Sequence, residues 1–337
     1  MSKIKEMLQD YQIPPVAKVI QSFDRTELAQ PEQALWQKLE RQKLAIHPGD
    51  RIAITGGSRG IAGYQILMKT IVDFVRSKGA CPFIVPAMGS HGGATAQGQV
   101  EMLEHLGITE ETVGAPILSS MDVVEIGKTD LGLPVYIDKN AYEADGIILF
   151  NRVKTHTSIR GENESGLVKM CAIGLAKHKG AAMTHSLGVR NLGANIIRVA
   201  RVALEHLNII CGVATIENGY NHLADLYVVD AEHLIDEEKA ILKRARAMVP
   251  TILLPQIDAL IVVEQGKDIS GTGMDPAVVG RPINKLPNTG TEVEALGVLR
   301  LTEISGGNAC GCGMADFIAK GLRDHMVEEF MQINATT

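Results

Sequence analysis

The 337-residue chain is 45% hydrophobic, which is enough apolar material for a large core, and its length favours two domains over one. Its net charge is −6 with acidic and basic residues interspersed, so no block of like charge predicts a nucleic-acid partner. The five scattered cysteines, the polar N-terminus and the absence of an apolar run near the roughly 20 residues that span a bilayer predict a cytoplasmic protein without a membrane segment.

Short apolar runs alternate with amphipathic helical patterns along most of the chain. The predicted elements, in chain order, are strand 50–56, helix 64–79, strand 81–88, helix 95–106, strand 144–153, helix 194–207 and strand 256–266. Because strands and helices alternate, we predict an α/β fold with a doubly wound, mostly parallel sheet.

A proline-bounded interval, Pro250 to Pro255, divides the predicted elements into two groups. We therefore predict an N-terminal α/β domain over 1–252 that carries the catalytic and cofactor-binding residues. A second, smaller α/β domain is predicted over 253–337.

Polar side chains follow three of the predicted strands. Arg59 lies in "GGSRGIAG" after the first strand, His91 lies in "GSHGGAT" after the second, and His156 lies in "KTHT" after the third. In an open parallel sheet the loops at the carboxyl ends of the strands form the ligand crevice, so these side chains are expected to converge. Two imidazoles in one pocket would suit proton transfer near neutral pH, although a single histidine in such a loop is usually a hydrogen-bonded polar residue.

The turn that contains Arg59 has two interpretations. The backbone N–H groups of Gly56, Gly57 and Ser58 could bind an anion before a helix, while Arg59 grips a carboxylate. The same composition is also typical of an ordinary tight turn, and it matches neither the P-loop nor the dinucleotide fingerprint.

Lys169 stands in the apolar run "SGLVKMCAIGL". An ammonium group there should reach the surface, titrate at a lowered pKa or carry a covalent group, and the first is the usual case. His185 follows sixteen residues later, which would be about 24 Å away along one straight helix. If both residues serve one site the chain must bend, and Gly174 or Gly180 could allow it.

From about Arg51 to His185 the chain resembles the lactate racemase (LarA-type) family of nickel-pincer-nucleotide-dependent racemases and epimerases of 2-hydroxy acids. The spacing of Arg59 and His91 matches a substrate arginine and a catalytic histidine of that family. His156 and Lys169 look like the second histidine and the lysine that carries the cofactor. His185 falls sixteen residues after this lysine, at the spacing of the family's nickel ligand.

The resemblance implies an isomerase that racemises or epimerises a 2-hydroxy acid, not necessarily lactate, by reversible hydride transfer to a nickel-pincer nucleotide. His91 and His156 would be the two acid/base residues, and Arg59 would hold the substrate. The cofactor, a pyridinium-3,5-bisthiocarboxylate mononucleotide with nickel, would be covalent on Lys169 and absent from protein made without its maturation proteins. His185 would bind nickel.

The resemblance further implies that the nucleotide phosphate lies against Gly56, Gly57 and Ser58. The implied partners are a small-molecule 2-hydroxy acid and the cofactor-maturation proteins, and a homo-oligomer is compatible with the sequence. Neither nucleic acid nor membrane is an expected partner.

The chain departs from the family pattern at several points. "SIRGEN" (158–163) resembles an insertion between His156 and Lys169, which makes Lys154, Arg160 and His178 competing candidates for the second base. The Gly-rich segments 266–290 and 305–316 replace recognisable substrate contacts, and could be substrate loops or surface turns. Family members are commonly longer, so a C-terminal segment is expected to be missing.

Two hypotheses from other functional classes remain open. In the first, His91, His156 and His185 hold zinc in a metallohydrolase, although no HExxH motif is present and Lys169 is left without a role. In the second, the chain is a non-catalytic homologue that binds a ligand without turning it over.

Overall fold

The computed structural model describes residues 3–7, 9–12, 15–157, 159–186, 188, 191–283, 288 and 290–336. The strands are β1 (Arg51–Gly56), β2 (Cys81–Pro86), β3 (Val123–Lys128), β4 (Pro134–Asp138), β5 (Gly146–Arg152), β6 (Ile209–Glu217), β7 (Leu223–Asp230), β8 (Gln256–Gln265), β9 (Glu292–Leu301) and β10 (Phe317–Ile318). The helices are α1 (Lys3–Met7), α2 (Pro31–Arg41), α3 (Tyr64–Ser77), α4 (Ala96–His105), α5 (Glu110–Val113), α6 (Lys139–Tyr142), α7 (Leu167–Lys169), α8 (Lys177–His185), α9 (Leu192–His206), α10 (Leu234–Met248), α11 (Lys320–Asp324) and α12 (Glu328–Thr336).

The central sheet has the strand order β2-β1-β5-β6-β7. Its pairs are parallel from β2 to β6, and only the edge pair β6–β7 is antiparallel. The predicted α/β fold with a mostly parallel sheet is therefore confirmed. The β6–β7 and β3–β4 antiparallel pairs were not predicted.

Helices cover both faces of the central sheet. Alternate residues of one strand point to opposite cores, so that Ala53 belongs to the core that includes residues of α9 and α10, and Ile54 to the core that includes residues of α2 and α3. Burial on both faces explains why β1 and β5 are continuous apolar runs, with no alternation of polar and apolar residues. The polar loops can gather only at the strand ends.

A second sheet, with the order β10-β9-β8, lies in the C-terminal part of the chain. Its pairs are parallel, and it packs on a separate apolar cluster drawn from residues between Ile257 and Met331. This separate core matches the smaller α/β unit that was predicted there, while the boundary at residue 253 stays a prediction.

The chain bends between Lys169 and His185, but not through the glycines expected to allow it. Helix α7 passes into a π-helical turn at Met170–Gly174, and α8 begins at Lys177, whose φ is 53°. Lys177 is the residue with left-handed backbone in this segment. A Cβ at Gly174 would stand 2.6 Å from the Ala87 carbonyl oxygen, so this glycine permits close packing.

Lys177 is fully buried, which the sequence analysis did not anticipate. Its ammonium lies 3.1 Å from the Asp138 carboxylate and donates hydrogen bonds to the Pro86 carbonyl and to Gln99 Oε1. Gln99 in turn donates to the carbonyl oxygens of Gly89 and His91. This buried network therefore fixes the turn that carries His91.

No helix in the described ranges is both long enough and apolar enough to cross a membrane.

Candidate functional site

The predicted site residues meet where β1, β2 and β5 end. The positive charge of Lys169 acts on three imidazoles, and with partial desolvation as the larger cause it lowers the pKa of His91, His156 and His185. The charge of Arg59 lowers the pKa of His91 and Lys169 as well. Residues from five separate segments of the chain therefore share one electrostatic environment.

The turn between β2 and α4 orients the His91 imidazole. Its Nδ1 lies 2.8 Å from the Met88 carbonyl oxygen, which can only accept, so Nδ1 carries the hydrogen. The lone pair of the neutral ring is then on Nε2. Although the ring reaches solvent, desolvation by the surrounding protein, with the charges of Arg59 and Lys169, lowers its pKa. His91 can therefore accept a proton at neutral pH.

His156 lies in a loop that closes on itself. Lys154 and Ser165 exchange two backbone hydrogen bonds at its base, and the buried Glu164 carboxylate accepts from the His156 N–H at 2.7 Å. Arg246 anchors the same carboxylate at 2.9 Å. Glu164, which directly follows the insertion, therefore holds the His156 backbone in place, and residue 158 of the insertion lies outside the described ranges.

The His156 ring is the most strongly perturbed of the three. Desolvation, aided by the charges of Lys169, Lys154 and Arg160, lowers its pKa to about 3. Of the competing candidates, Arg160 donates to the His156 carbonyl and lies 3.8 Å from Glu164, which leaves it a structural role. His178 is exposed on α8.

Lys169 is partly exposed rather than enclosed by the apolar run around it. Desolvation, with the charges of Lys154 and Arg59, lowers its pKa to about 8. About half of the amine is then neutral and nucleophilic near pH 8. A lysine in an apolar segment usually extends its side chain toward the surface. That explains the partial exposure of Lys169 but not its proximity to Arg59 and Lys154.

A distant carboxylate fixes the turn that carries Lys169. Glu238 of α10 is fully buried and accepts a hydrogen bond from the Val168 N–H at 2.9 Å and from the Asn163 amide at 3.1 Å. A Cβ at Gly166 would stand 2.5 Å from the Glu238 carboxylate, so only glycine fits there. Sequence reasoning missed Glu238, because a glutamate in an amphipathic helix gives no signal of burial.

The contacts of the β1–α3 turn agree only in part with the expected phosphate-binding role of Gly56, Gly57 and Ser58. The Gly57 N–H donates to the Tyr64 hydroxyl at 2.7 Å, and the Ala62 N–H donates to Glu217 at 2.8 Å. A Cβ at Gly56 would stand 3.0 Å from Leu103, so packing accounts for this glycine. Ser58, half-buried, makes no hydrogen bond within the described residues and stays available to an anion.

The segment 266–275 after β8 borders the same site. A Cβ at Gly271 would stand 3.5 Å from the Arg59 guanidinium. The charge of Lys267 contributes to the lowered pKa of His91, and Asp275 acts on Lys154 in the opposite direction. This part of the Gly-rich segment 266–290 therefore lies beside Arg59 and close to His91 and Lys154.

The possible metal-ligating side chains at the site would suit a cofactor that supplies most of the metal ligands itself. In the described residues no group of three or more His, Cys, Asp or Glu side chains is arranged to hold a metal ion. His185, exposed at the end of α8, offers a single neutral imidazole, since desolvation and Lys169 lower its pKa. The zinc hypothesis, which needs three histidine ligands together, gains no support from this arrangement.

Comparison with solved structures shows similar folds at low sequence identity. The lactate racemase apoprotein of Thermoanaerobacterium thermosaccharolyticum is 16% identical, with a TM-score of 0.57 over 81% of this chain and 68% of that chain. A Thermotoga maritima protein solved by the Northeast Structural Genomics Consortium is 14% identical, with a TM-score of 0.57 over 80% of this chain and 70% of that one. These likenesses show a shared fold with lactate racemase.

Comparison with curated protein sequences found no match. A family model described as "Domain of unknown function (DUF362)" matches residues 60–235, which is just over half of the chain and includes each histidine discussed above. The chain belongs to the DUF362 family.

Proposed function

We propose that this protein is a racemase or epimerase of a 2-hydroxy acid that works with a nickel-pincer nucleotide. The observation that carries the proposal is the placement of Lys169 beside three neutral imidazoles, of His91, His156 and His185, on a fold shared with lactate racemase. The lysine and the three histidines come from four separate segments of the chain, and a shared site would account for their convergence.

His91 and His156 are assigned the two proton transfers. Nε2 of His91 takes the proton from the substrate hydroxyl, since its Nδ1 is committed to the Met88 carbonyl. His156, neutral throughout the physiological range, serves the opposite face of the substrate. A racemase needs an acid/base residue on each side because hydride can return to C2 on either face of the planar 2-oxo acid, and the carbonyl oxygen must receive a proton in both orientations.

Arg59 binds the substrate carboxylate. Its guanidinium makes no ion pair with the described residues and faces the 266–275 segment, so it is available for a bidentate contact. The segment would exclude water from the substrate.

Lys169 and His185 are the residues that would hold the cofactor. A lysine amine with a pKa of about 8 is suited to forming an amide-like linkage. The linkage would also remove the positive charge of Lys169, which desolvation and the charges of Lys154 and Arg59 disfavour. His185 would be the protein ligand of nickel. When bound, the cofactor supplies a hydride acceptor for C2 of the substrate.

A non-catalytic homologue that binds the same ligand is the remaining alternative, and one experiment separates the two. The protein is co-produced with the family's cofactor-maturation proteins, and intact mass and nickel content are measured for wild type, Lys169→Ala and the control Lys243→Ala, which alters an exposed lysine of α10. We expect an adduct and stoichiometric nickel in wild type and control, and neither in Lys169→Ala. An unmodified wild-type mass without nickel would remove the pincer mechanism.

Activity is then measured as the return of hydrogen to C2. With a 2-deuterated hydroxy acid, racemisation by this route keeps the label at C2, whereas proton abstraction from C2 would exchange it with water. Loaded protein that binds hydroxy acids and never inverts them would favour the binding homologue.

A further inference from the structure

Three cationic side chains meet at the strand ends without an acidic partner. Arg59, Lys154 and Lys169 make no side-chain hydrogen bond or ion pair with any residue that the structure describes. They are nevertheless close enough that Arg59 lowers the pKa of Lys154 and Lys169, and Lys154 lowers the pKa of Lys169. Bringing like charges together costs free energy that some counter-charge must offset.

The acidic groups nearest to Lys154 do not provide that counter-charge as ion pairs. Glu217 and Asp275 act on it electrostatically, but Glu217 is already bound to Arg152 and accepts from the Ala62 N–H. Asp275 forms no ion pair with Lys154. Lys154 is therefore half-buried near Arg59 and Arg152 and forms no ion pair with either acidic group.

The fully buried lysine of this protein, in contrast, has an acidic partner. Lys177 has Asp138 at 3.1 Å together with two oxygen acceptors. The contrast indicates that the counter-charge of Lys154 arrives with a ligand.

We propose that Lys154 is an anion-binding residue for a carboxylate or phosphate group distinct from the carboxylate held by Arg59. The identity of the ligand that carries this anionic group rests on the proposed function. The ability of Lys154 to bind an anion does not depend on it. The group has two chemical sources, a second carboxylate on a 2-hydroxy dicarboxylate or the phosphate of a pyridinium mononucleotide.

Both sources fit the surroundings of Lys154. A dicarboxylate would span from Arg59 at the end of β1 to Lys154 just beyond the end of β5, which are neighbouring strands. A nucleotide phosphate would need a cationic side chain to bind it, because the nearby backbone donors are already used. The Gly57 N–H donates to Tyr64, and the Ala62 N–H, just before α3, donates to Glu217.

Calorimetric titration of the full-length protein without cofactor tests the site. Malate, lactate and nicotinic acid mononucleotide are titrated into wild type, Lys154→Gln, Lys154→Arg and the control Lys243→Gln. Thermal melting checks that each variant is folded, which we expect because Lys154 supports its loop through backbone atoms.

If the anion is a substrate carboxylate, wild type binds malate about tenfold or more tightly than lactate, and Lys154→Gln loses this preference. If it is the nucleotide phosphate, Lys154→Gln weakens the mononucleotide by a similar factor instead. Lys154→Arg and Lys243→Gln retain wild-type binding in both cases.

The proposal is overturned if Lys154→Gln binds malate and mononucleotide as wild type does, or if folded wild type binds neither at millimolar concentration. Because no nickel or Lys169 adduct is involved, this outcome is separate from failure of the racemase proposal. A selective loss of anion binding in a protein that never acquires the adduct would keep the subsite and remove the racemase.

Discussion

The Glu238 carboxylate accepts a hydrogen bond from the Val168 N–H at 2.9 Å, although the two residues are 70 apart in the sequence. This contact satisfies the start of the short helix α7, whose last residue is Lys169. Burial raises the pKa of Glu238, and the hydrogen bonds from Val168 and Asn163 oppose that rise. The position of Lys169 thus depends on a residue of α10.

Replacement of Glu238 should separate its hydrogen bonding from its charge. Glu238→Gln can still accept from the Val168 N–H through its amide oxygen, while its amide nitrogen replaces the oxygen that accepts from Asn163, so one hydrogen bond is lost. We expect Glu238→Gln to cost about 1 kcal/mol and Glu238→Ala about 1–3 kcal/mol, because the alanine removes the acceptor of both buried donors. Urea unfolding measures both values.

Competitive acetylation read by mass spectrometry distinguishes positioning from general destabilisation. Glu238→Ala should change the labelling rate of Lys169 and leave that of Lys243 as in wild type, while in Glu238→Gln both lysines should be labelled at the wild-type rate. Equal changes at the two lysines would mean that Glu238 only stabilises the fold.

Gly166→Ala tests the close approach of the backbone to Glu238. The added methyl would lie 2.5 Å from the carboxylate oxygen, which a fully buried side chain can relieve only by giving up its hydrogen bonds. We expect a loss of about 1–3 kcal/mol. Gly161→Ala is the matched control, since its new methyl would be 3.4 Å from the nearest atom, and it should lie within about 0.5 kcal/mol of wild type. Similar losses in both variants would contradict the role given to Gly166.

Lys177 and Asp138 form a fully buried ion pair, so removal of one partner should be severe. Lys177→Met leaves the Asp138 carboxylate buried without its counter-ion and should cost about 3–5 kcal/mol. The double variant Lys177→Met with Asp138→Asn should recover part of that loss. Because the Lys177 ammonium also binds Gln99, which holds the His91 carbonyl, the single variant should disturb the His91 turn as well. Denaturant unfolding and the His91 NMR signals report the two effects, and additive losses in the double variant would argue against coupling.

His156 should make the protein sensitive to acid. Its folded pKa of about 3 lies below the ordinary histidine pKa of 6.5, so the unfolded chain binds a proton first as the pH falls. The stability contribution is complete above pH 6.5 and is lost as the pH falls toward 3. His156→Asn, which cannot titrate, should unfold at a lower pH than wild type. The exposed His178→Asn is the control, and equal acid midpoints for all three proteins would contradict the burial of His156.

The labelling pH profile of Lys169 follows from its lowered pKa. The amine should become reactive with a midpoint near pH 8, because desolvation and the charges of Lys154 and Arg59 resist its protonation. Lys154→Gln removes one of these charges and should move the midpoint upward, whereas Lys243→Gln should not. A Lys169 midpoint near 10.5 in wild type would show that the cations are not close in solution.

The sequence alone determined the parallel α/β sheet, because buried strands must be continuous apolar runs and the helices between them must be amphipathic. It also identified Arg59, His91, His156, Lys169 and His185 as candidates from their positions after strands and from a resemblance in spacing. Their roles remain proposals, but the structure does bring them into one electrostatic environment.

Only the tertiary structure decided what holds these side chains in place. Glu164, Glu238 and Asp138 look like ordinary surface or turn carboxylates in the sequence, and their burial depends on residues up to 82 positions away. Gly174 or Gly180 was expected to allow the bend between Lys169 and His185, since sequence propensity cannot foresee that the left-handed residue there is Lys177, a lysine with a buried ion pair. Local pattern fixes which segments become strands and helices, whereas long-range charge pairing decides where the site residues point.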